Sequence, residues 1–141
     1  MFLKKQLYGA SLPPKTLCLT FDDGPGETLD GGPGPKTAQL AEYLSQEHIR
    51  ATFFVVGKFV EKYPAIMAKL VKLGHLVANH TFSHPRLEDL RSLEEVRAEI
   101  LKAHDTLSAY IRQRVCFFRA PYGSWPARFV DGINQDRKSV V

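Results

Sequence analysis

Short apolar runs alternate with longer segments of helical periodicity along most of this chain. The apolar runs, each predicted to be a strand, are residues 16–19, 51–56, 75–79 and 115–118, and the first two are expected to be buried. Between them, apolar positions recur every three or four residues, which predicts helices over residues 35–46, 59–70 and 92–111. Strands and helices that alternate in this way are typical of a parallel sheet with helices outside it.

Capping and helix-breaking residues mark the ends of several of these elements. Pro64 is expected to interrupt or restart the second helix, and Gly74 lies where its C-terminal cap should be. Ser92 and Glu95 have the spacing of a capping box at the start of the third helix. Residues 26–35 are rich in glycine and proline, which predicts a loop that forms a wall or a lid over a site.

Three polar motifs follow the predicted strands. They are Thr20-Phe21-Asp22-Asp23-Gly24-Pro25, His80-Thr81-Phe82-Ser83-His84-Pro85 and Arg119-Ala120-Pro121-Tyr122-Gly123. In parallel α/β folds, binding and catalytic sites gather at the carboxyl ends of the strands. We therefore expect the three motifs to meet at one edge of the sheet.

The first motif places two carboxylates at the end of a strand, where Gly24-Pro25 should stop the strand. Because side chains alternate between the faces of a strand, Asp22 and Asp23 can point at one centre only where the chain begins to turn. In a partly buried site a divalent cation would let both carboxylates stay ionised. The alternative for this motif alone is an exposed, solvated Asp-Asp-Gly turn.

The second motif contains two histidines four residues apart. On a helical turn, His80 and His84 would lie on one face and could bind one ion, although they could also be hydrogen-bonded polar residues without a metal. A carboxylate from the first motif and two histidines would make three protein ligands. That set leaves a position for water, as a catalytic zinc site requires.

The remaining polar residues suggest how a hydrolytic site would work. A bound ion lowers the pKa of its water to about 7, and whichever aspartate of the first motif does not bind the ion could take the proton, with an assistance of about 10²–10⁴-fold. Arg119 would keep that aspartate ionised and aimed, and the turn at Tyr122 offers a backbone N–H to an oxyanion. Without these neighbours, Arg119 reads equally well as a sheet-edge salt bridge and the turn as structural.

Together and in this order, the motifs resemble the NodB-like polysaccharide deacetylases, carbohydrate esterase family 4. The resemblance implies that Asp22 is the catalytic base. It also implies that Asp23, His80 and His84 bind one divalent ion, with zinc as the first expectation and cobalt, nickel and manganese as alternatives. The resemblance extends over about residues 17–125.

For the third motif the resemblance implies both catalytic and substrate-binding residues. Arg119 would orient the base, and Tyr122 would donate its main-chain N–H to the oxyanion. Pro121, Tyr122 and Trp125 would contact the substrate.

The implied reaction is metal-dependent hydrolysis of N-acetyl groups, or of O-acetyl groups, on a saccharide such as chitin oligomers or peptidoglycan glycan. The partner is then an N-acetylated glycan. The net charge of +4 is spread along the sequence and gives no case for nucleic acid. A phosphatase that uses the paired aspartates is a weaker hypothesis.

The fold implied by the resemblance is a partial distorted (β/α) barrel of the NodB-homology type, whose C-terminal strands we expect to be missing. The 141 residues, 44% of them hydrophobic, are expected to form a single, truncated catalytic domain over residues 1–141. The family's leaving-group histidine segment is not found, and His75 and His104 are weak substitutes. The alternative function is therefore a truncated, non-catalytic carbohydrate-binding domain or a vestigial deacetylase.

The cysteines and the N-terminus add two further expectations. Cys18 and Cys116 each lie inside an apolar run, which favours buried free thiols over a disulfide between them. No apolar segment follows Lys4 and Lys5, and no stretch approaches eighteen apolar residues, so neither a signal peptide nor a transmembrane helix is expected. Cellular location and oligomeric state stay open.

Overall fold

A parallel sheet flanked by helices forms the framework of this protein. The computed structural model describes residues 12–26, 36–111 and 117–124. Within these residues the sheet has the strand order β1-β2-β3, with β1 at Thr20–Gly24, β2 at Thr52–Val55 and β3 at Leu76–Asn79. The helices are α1 at Thr37–Gln46, α2 at Gly57–Lys62, α3 at Pro64–Lys72 and α4 at Leu93–Ser108. This arrangement confirms the predicted α/β class with parallel strands.

The first strand begins later than the sequence pattern predicts. Residues 16–19 are not a buried strand: β1 begins at Thr20, and Leu17 is 82% exposed. The reason is that Thr20 pairs with Thr52, the first residue of β2, so residues 16–18 extend past the end of the neighbouring strand. Cys18 is an exposed free thiol, so its predicted burial is wrong, while Cys116 lies outside the described residues.

The core lies between the sheet and helices α1, α2, α3 and α4. On α3, Met67 and Leu70 are fully buried, as their helical spacing predicts. The main cluster joins residues of both layers: Ala41, Leu44, Ala51, Phe53, Val55, Val60, Met67, Leu70 and Leu107. A second cluster of Leu87, Val96 and Ile100 lies under the segment that follows the second motif. The apolar stripes predicted for the helices are therefore the faces that form the core.

Local capping signals set several helix ends as predicted. Pro64 divides the predicted second helix into α2 and α3, since its missing N–H cannot continue the helical ladder. Ser92 caps α4 by accepting a hydrogen bond from the N–H of Glu95 at 3.2 Å. The Glu95 carboxylate accepts instead from the N–H of Arg91 at 2.8 Å, so the capping box is displaced by one residue. No helix in the described parts of the chain is long and apolar enough to cross a bilayer.

Helices α1 and α3 end in the same left-handed turn but with different residues. Gly74 follows α3 with a φ of 79°, and the next amide donates to the Leu70 carbonyl at 3.2 Å. His48 follows α1 with a φ of 57°, and the next amide donates to the Leu44 carbonyl at 2.8 Å. Both ends are Schellman motifs, and only the first has the glycine that this conformation favours.

The segment after α4 returns to the edge of the sheet beside β3. Asn79 receives a hydrogen bond from Arg119 N–H and donates its own N–H to Phe117, both at 3.0 Å. Phe118 therefore forms a parallel bridge with Asn79. Residues 112–116 are not among those described, so the predicted strand over residues 115–118 is seen only at its end. This pairing brings the third motif next to the second.

Candidate active site at the carboxyl ends of the strands

A break in the pairing of β1 lets two adjacent aspartates face one pocket. Phe21 pairs with Phe53, whereas Gly24 pairs with Val55, so β1 contains one more residue than β2 over this stretch. Such a bulge interrupts the alternation of side chains between the two faces. At the bulge, Asp23 has a φ of 67°, and the strand ends at Gly24 as predicted.

Asp23 lies between the two histidines of the second motif. Its Oδ1 is 3.1 Å from His80 Nε2 and 2.9 Å from His84 Nε2. One ligand atom from each of the three residues lies within 4.8 Å of the others. The structure thus brings together the three residues predicted to hold a metal ion.

Residues 80–84, here called the histidine loop, do not form the expected helical turn. Thr81 and His84 both have left-handed backbone, with φ angles of 68° and 66°. The Thr81 hydroxyl accepts a hydrogen bond from the His84 N–H at 3.1 Å and closes the loop on itself. The two imidazoles meet because of this looped backbone, with ring centroids 5.1 Å apart, rather than because they share a helix face.

The surroundings of His80 fit a metal ligand. Its Nδ1 lies 2.7 Å from the Arg119 carbonyl oxygen, which can only accept, so Nδ1 carries the hydrogen. In the neutral ring Nε2 then has a lone pair that faces the carboxylate of Asp23. His80 Nε2 and Asp23 Oδ1 are then two hydrogen-bond acceptors 3.1 Å apart. Two acceptors this close need a proton or a metal ion between them. A backbone carbonyl that fixes the ring in this way is the usual outer partner of a metal-binding histidine.

His84 is more accessible than His80 and packs against an aromatic ring. Burial lowers the pKa of the His84 imidazole below its ordinary value, and the neighbouring Asp23 carboxylate partly opposes this shift. A lowered pKa favours the neutral ring, which is the form that binds metal ions. The Tyr122 ring lies 4.9 Å from the His84 ring, measured between centroids.

Asp22 has a different partner from Asp23. Its Oδ1 accepts a hydrogen bond from Nη1 of Arg119 at 2.5 Å. The same Nη1 donates to the Thr20 hydroxyl at 3.1 Å, and the guanidinium lies 4.0 Å from the centre of the Phe54 ring. Three contacts thus fix the arginine side chain, which in turn fixes the direction of the Asp22 carboxylate.

The third motif forms a tight turn at the mouth of the pocket. Pro121 is buried, whereas the side chain of Tyr122 is 58% exposed and its backbone has a φ of 59°. The guanidinium of Arg86 lies 4.4 Å from the centre of the Tyr122 ring. Trp125, the third predicted substrate-binding residue, lies outside the described residues.

The two histidines considered as substitute acids do not line this pocket. His75 is buried and uses both ring nitrogens elsewhere: Nδ1 accepts from Ala51 N–H at 3.3 Å, and Nε2 donates to the Ala41 carbonyl at 2.9 Å. His104 lies within α4. Among the described residues, the histidines of the pocket are the two next to Asp23.

Sequence reasoning missed the residues that shape the histidine loop. Asn79 accepts the N–H of Thr81 at 2.8 Å and donates to the Ile100 carbonyl at 2.8 Å. Glu99 of α4 accepts three hydrogen bonds from Phe82 and Ser83. A usable signal was present for Glu99, because it stands beside the buried stripe of α4 rather than on its exposed face.

The three motifs enclose one open pocket of about 520 Å³. It is lined by Asp22, Asp23, His80, His84, Arg119, Ala120, Tyr122 and Gly123. A carboxylate and two imidazoles at the ends of parallel strands, beside a second carboxylate, have the composition of a metal-assisted hydrolase site.

Comparison with known proteins gives the family. A family model described as polysaccharide deacetylase matches residues 9–139, and the chain belongs to this family. A chitooligosaccharide deacetylase of Azorhizobium caulinodans is 37% identical over 121 residues, which are 85% of this chain and 54% of that protein. A peptidoglycan-N-acetylglucosamine deacetylase of Bacillus cereus is 34% identical over 124 residues, which are 86% of this chain and 42% of that protein.

The fold agrees with the family. The crystal structure of a peptidoglycan N-acetylglucosamine deacetylase superposes with a TM-score of 0.73 and 31% identity, over 88% of this chain and 54% of that one. The predicted resemblance and the NodB-type α/β fold are thus confirmed. The chain spans about half the length of the curated relatives it matches.

Proposed function

We propose that this protein hydrolyses N-acetyl groups on a saccharide polymer or oligomer, with one divalent ion held by Asp23, His80 and His84. The observation that carries the proposal is the presence of this donor set and the Asp22–Arg119 pair in one open pocket. The names of the similar proteins support chitin oligomers or peptidoglycan glycan as the substrate class. Zinc is the expected ion, since three protein ligands of this kind are typical of catalytic zinc.

The reaction adds water to the acetyl carbonyl and releases acetate and a free amine. A divalent ion bound there would supply Lewis acidity that polarises the carbonyl and makes water more acidic. Asp22 takes the proton of the attacking water, an assistance of about 10²–10⁴-fold. Arg119 keeps the Asp22 carboxylate aimed into the pocket, and the Tyr122 N–H donates to the oxygen on which negative charge develops.

Cleavage of the C–N bond also needs a proton for the departing nitrogen. Among the described residues, the pocket contains no group to which we assign this step. An O-acetyl substrate has a better leaving group and depends less on an acid. Comparing N-acetylated with O-acetylated sugars therefore measures how strongly the reaction depends on a general acid.

The direct test is acetate release from N-acetylglucosamine oligomers with added zinc or cobalt, and with chelator as control. We expect release that the chelator abolishes and that His84→Ala removes, since this substitution deletes one of three ligands. His48→Gly is the matched control, because it removes a histidine that does not line the pocket. A chain that binds one zinc but releases no acetate would favour the non-catalytic carbohydrate-binding alternative.

A further inference from the structure

The histidine loop is held from outside by a carboxylate that does not itself belong to the cluster of metal-binding donors. We propose that Glu99 of α4 is a positioning residue that fixes this loop, and through it His84, in the geometry that binds the metal ion. The proposal rests on the metal site of the proposed function. It concerns affinity for the ion, which can be measured without turnover.

Glu99 accepts three hydrogen bonds that the loop directs toward α4. Its Oε2 accepts the N–H groups of Phe82 at 3.0 Å and Ser83 at 2.8 Å. Its Oε1 accepts the Ser83 hydroxyl at 2.8 Å. Hydrogen bonds to an ionised acceptor are shorter and stronger than neutral ones, so this carboxylate is a firm anchor for the residue directly before His84.

The loop needs such an anchor because its backbone is unfavourable. Thr81 and His84 occupy the left-handed region, which is uncommon for residues other than glycine and most unfavourable for a β-branched one such as threonine. Left-handed residues persist where the surrounding structure holds them in place. Removing part of that support therefore releases the loop toward other conformations, in which His84 no longer points at Asp23.

Two helices hold the loop with complementary groups. From α2, the N–H of Gly57 donates to the Thr81 carbonyl at 3.0 Å. Lys58 donates its N–H to the Phe82 carbonyl at 2.9 Å and its Nζ to the Ser83 carbonyl at 3.0 Å. Helix α2 thus supplies donors to the loop carbonyls, and Glu99 of α4 supplies the acceptor for its amides.

The Phe82 side chain tightens the same contact. A Cβ atom at Gly57 would lie 2.6 Å from Phe82 Cδ2, so the ring packs directly on the backbone of α2. From α4, Nζ of Lys102 lies 3.6 Å from the centre of the same ring. The loop therefore packs against both helices, and Glu99 provides directional hydrogen bonds in this contact.

Glu99 acts through the loop rather than as a ligand. The cluster of close donors consists of Asp23, His80 and His84 and does not include it. Both of its oxygens are occupied by the donors of Phe82 and Ser83. A substitution at this position should therefore change metal affinity while all three ligands remain in the chain.

The experiment measures zinc and cobalt binding by titration calorimetry, together with the visible spectrum of the cobalt-loaded protein. Glu99→Gln removes the charge and one acceptor, and we expect metal affinity to fall by about 10-fold, the lower end of the loss for groups bonded directly to a metal ligand, with a changed cobalt spectrum. Glu94→Gln is the matched control, because it removes the same charge from an exposed position in the first turn of the same helix. Affinity and spectrum equal to those of Glu94→Gln would overturn the proposal.

Two further outcomes separate this inference from the proposed function. If Glu99→Gln does not fold, Ser83→Ala removes the hydroxyl donor alone and should still weaken binding several-fold; unchanged affinity there would contradict the role of Glu99. A wild-type chain without affinity for either ion would overturn the metal site itself. Normal wild-type binding with an unaffected Glu99→Gln overturns the positioning role alone.

Discussion

The core under the sheet and the rim at the carboxyl ends of its strands are built in different ways. The core consists of regular helices and strands whose apolar faces interlock around Phe53, Met67 and Leu70. At the rim, four of the described residues have left-handed backbone: Asp23, Thr81, His84 and Tyr122. The core is therefore specified by burial of regular elements, whereas the rim is specified by polar contacts that hold an irregular backbone.

The difference shows where conformational strain is placed. Left-handed backbone at residues other than glycine costs about 1–3 kcal/mol each. Of the six such residues described in the structure, four line the pocket or lie in the histidine loop beside it. The remaining two, Lys15 and His48, belong to the scaffold. The stability of the core thus offsets the unfavourable backbone conformations at the site. Substitutions in the core should therefore change stability, and substitutions at the rim should change activity or metal binding.

The largest expected effect comes from changing the chemistry of the rim alone. Asp22→Asn keeps an acceptor for Arg119 but removes the proposed base, so acetate release should fall by about 10²–10⁴-fold. Zinc affinity and the thermal midpoint should stay close to wild type, since Asp23 and both histidines remain. Activity is followed by acetate release and metal binding by calorimetry. Full activity in this variant would remove Asp22 from the mechanism.

A core substitution should lower the stability of the fold and leave metal binding unchanged. Leu70 is fully buried, so Leu70→Ala should lower the free energy of unfolding by about 2–5 kcal/mol. The zinc affinity of the folded fraction should be unchanged. Urea denaturation gives the first quantity and calorimetry at low temperature the second. Leu76→Ala, at a half-exposed position of β3, is the control and should cost much less; equal losses would mean that the core is wrongly assigned.

The smallest effect concerns strain in the scaffold. His48 and Gly74 end two helices in the same turn, so His48→Gly should raise the free energy of unfolding by about 1 kcal/mol because the left-handed cost disappears. Gly74→Ala should lower it by a similar amount. Both are measured by urea denaturation of the metal-free protein. A loss of stability in both variants would show that His48 makes contacts that outweigh its strain.

Much of the scaffold could be predicted from sequence because its signals are local. The spacing of Met67 and Leu70, the cap at Ser92 and the break at Pro64 each depend on neighbours within one or two helical turns. The start of β1 could not be predicted in the same way, because it depends on where β2 begins. An apolar run such as residues 16–19 becomes a buried strand only if another strand extends alongside it.

The sequence predicted which residues come together in the site, but not the backbone conformation that positions them. Placing Asp22, Asp23, His80 and Arg119 together needed only the rule that parallel strands end at the same edge. The conformation of the histidine loop needed contacts from Gly57 and Glu99, which lie more than fifteen positions away from the residues they hold. The helical turn predicted for His80 and His84 was wrong for this reason. The catalytic and ligand roles stay predictions that the experiments above address.

Arg119 takes part in both halves of the site through different parts of the residue. Its carbonyl oxygen accepts from Nδ1 of His80, and its guanidinium binds Asp22. Every amino acid has that carbonyl, but only arginine has that guanidinium. Under the proposed roles, a substitution of Arg119 would remove the group that orients the base Asp22. The backbone carbonyl of residue 119 would still orient the metal ligand His80. A protein that still binds the ion but no longer catalyses the reaction could therefore arise from the active protein by one substitution.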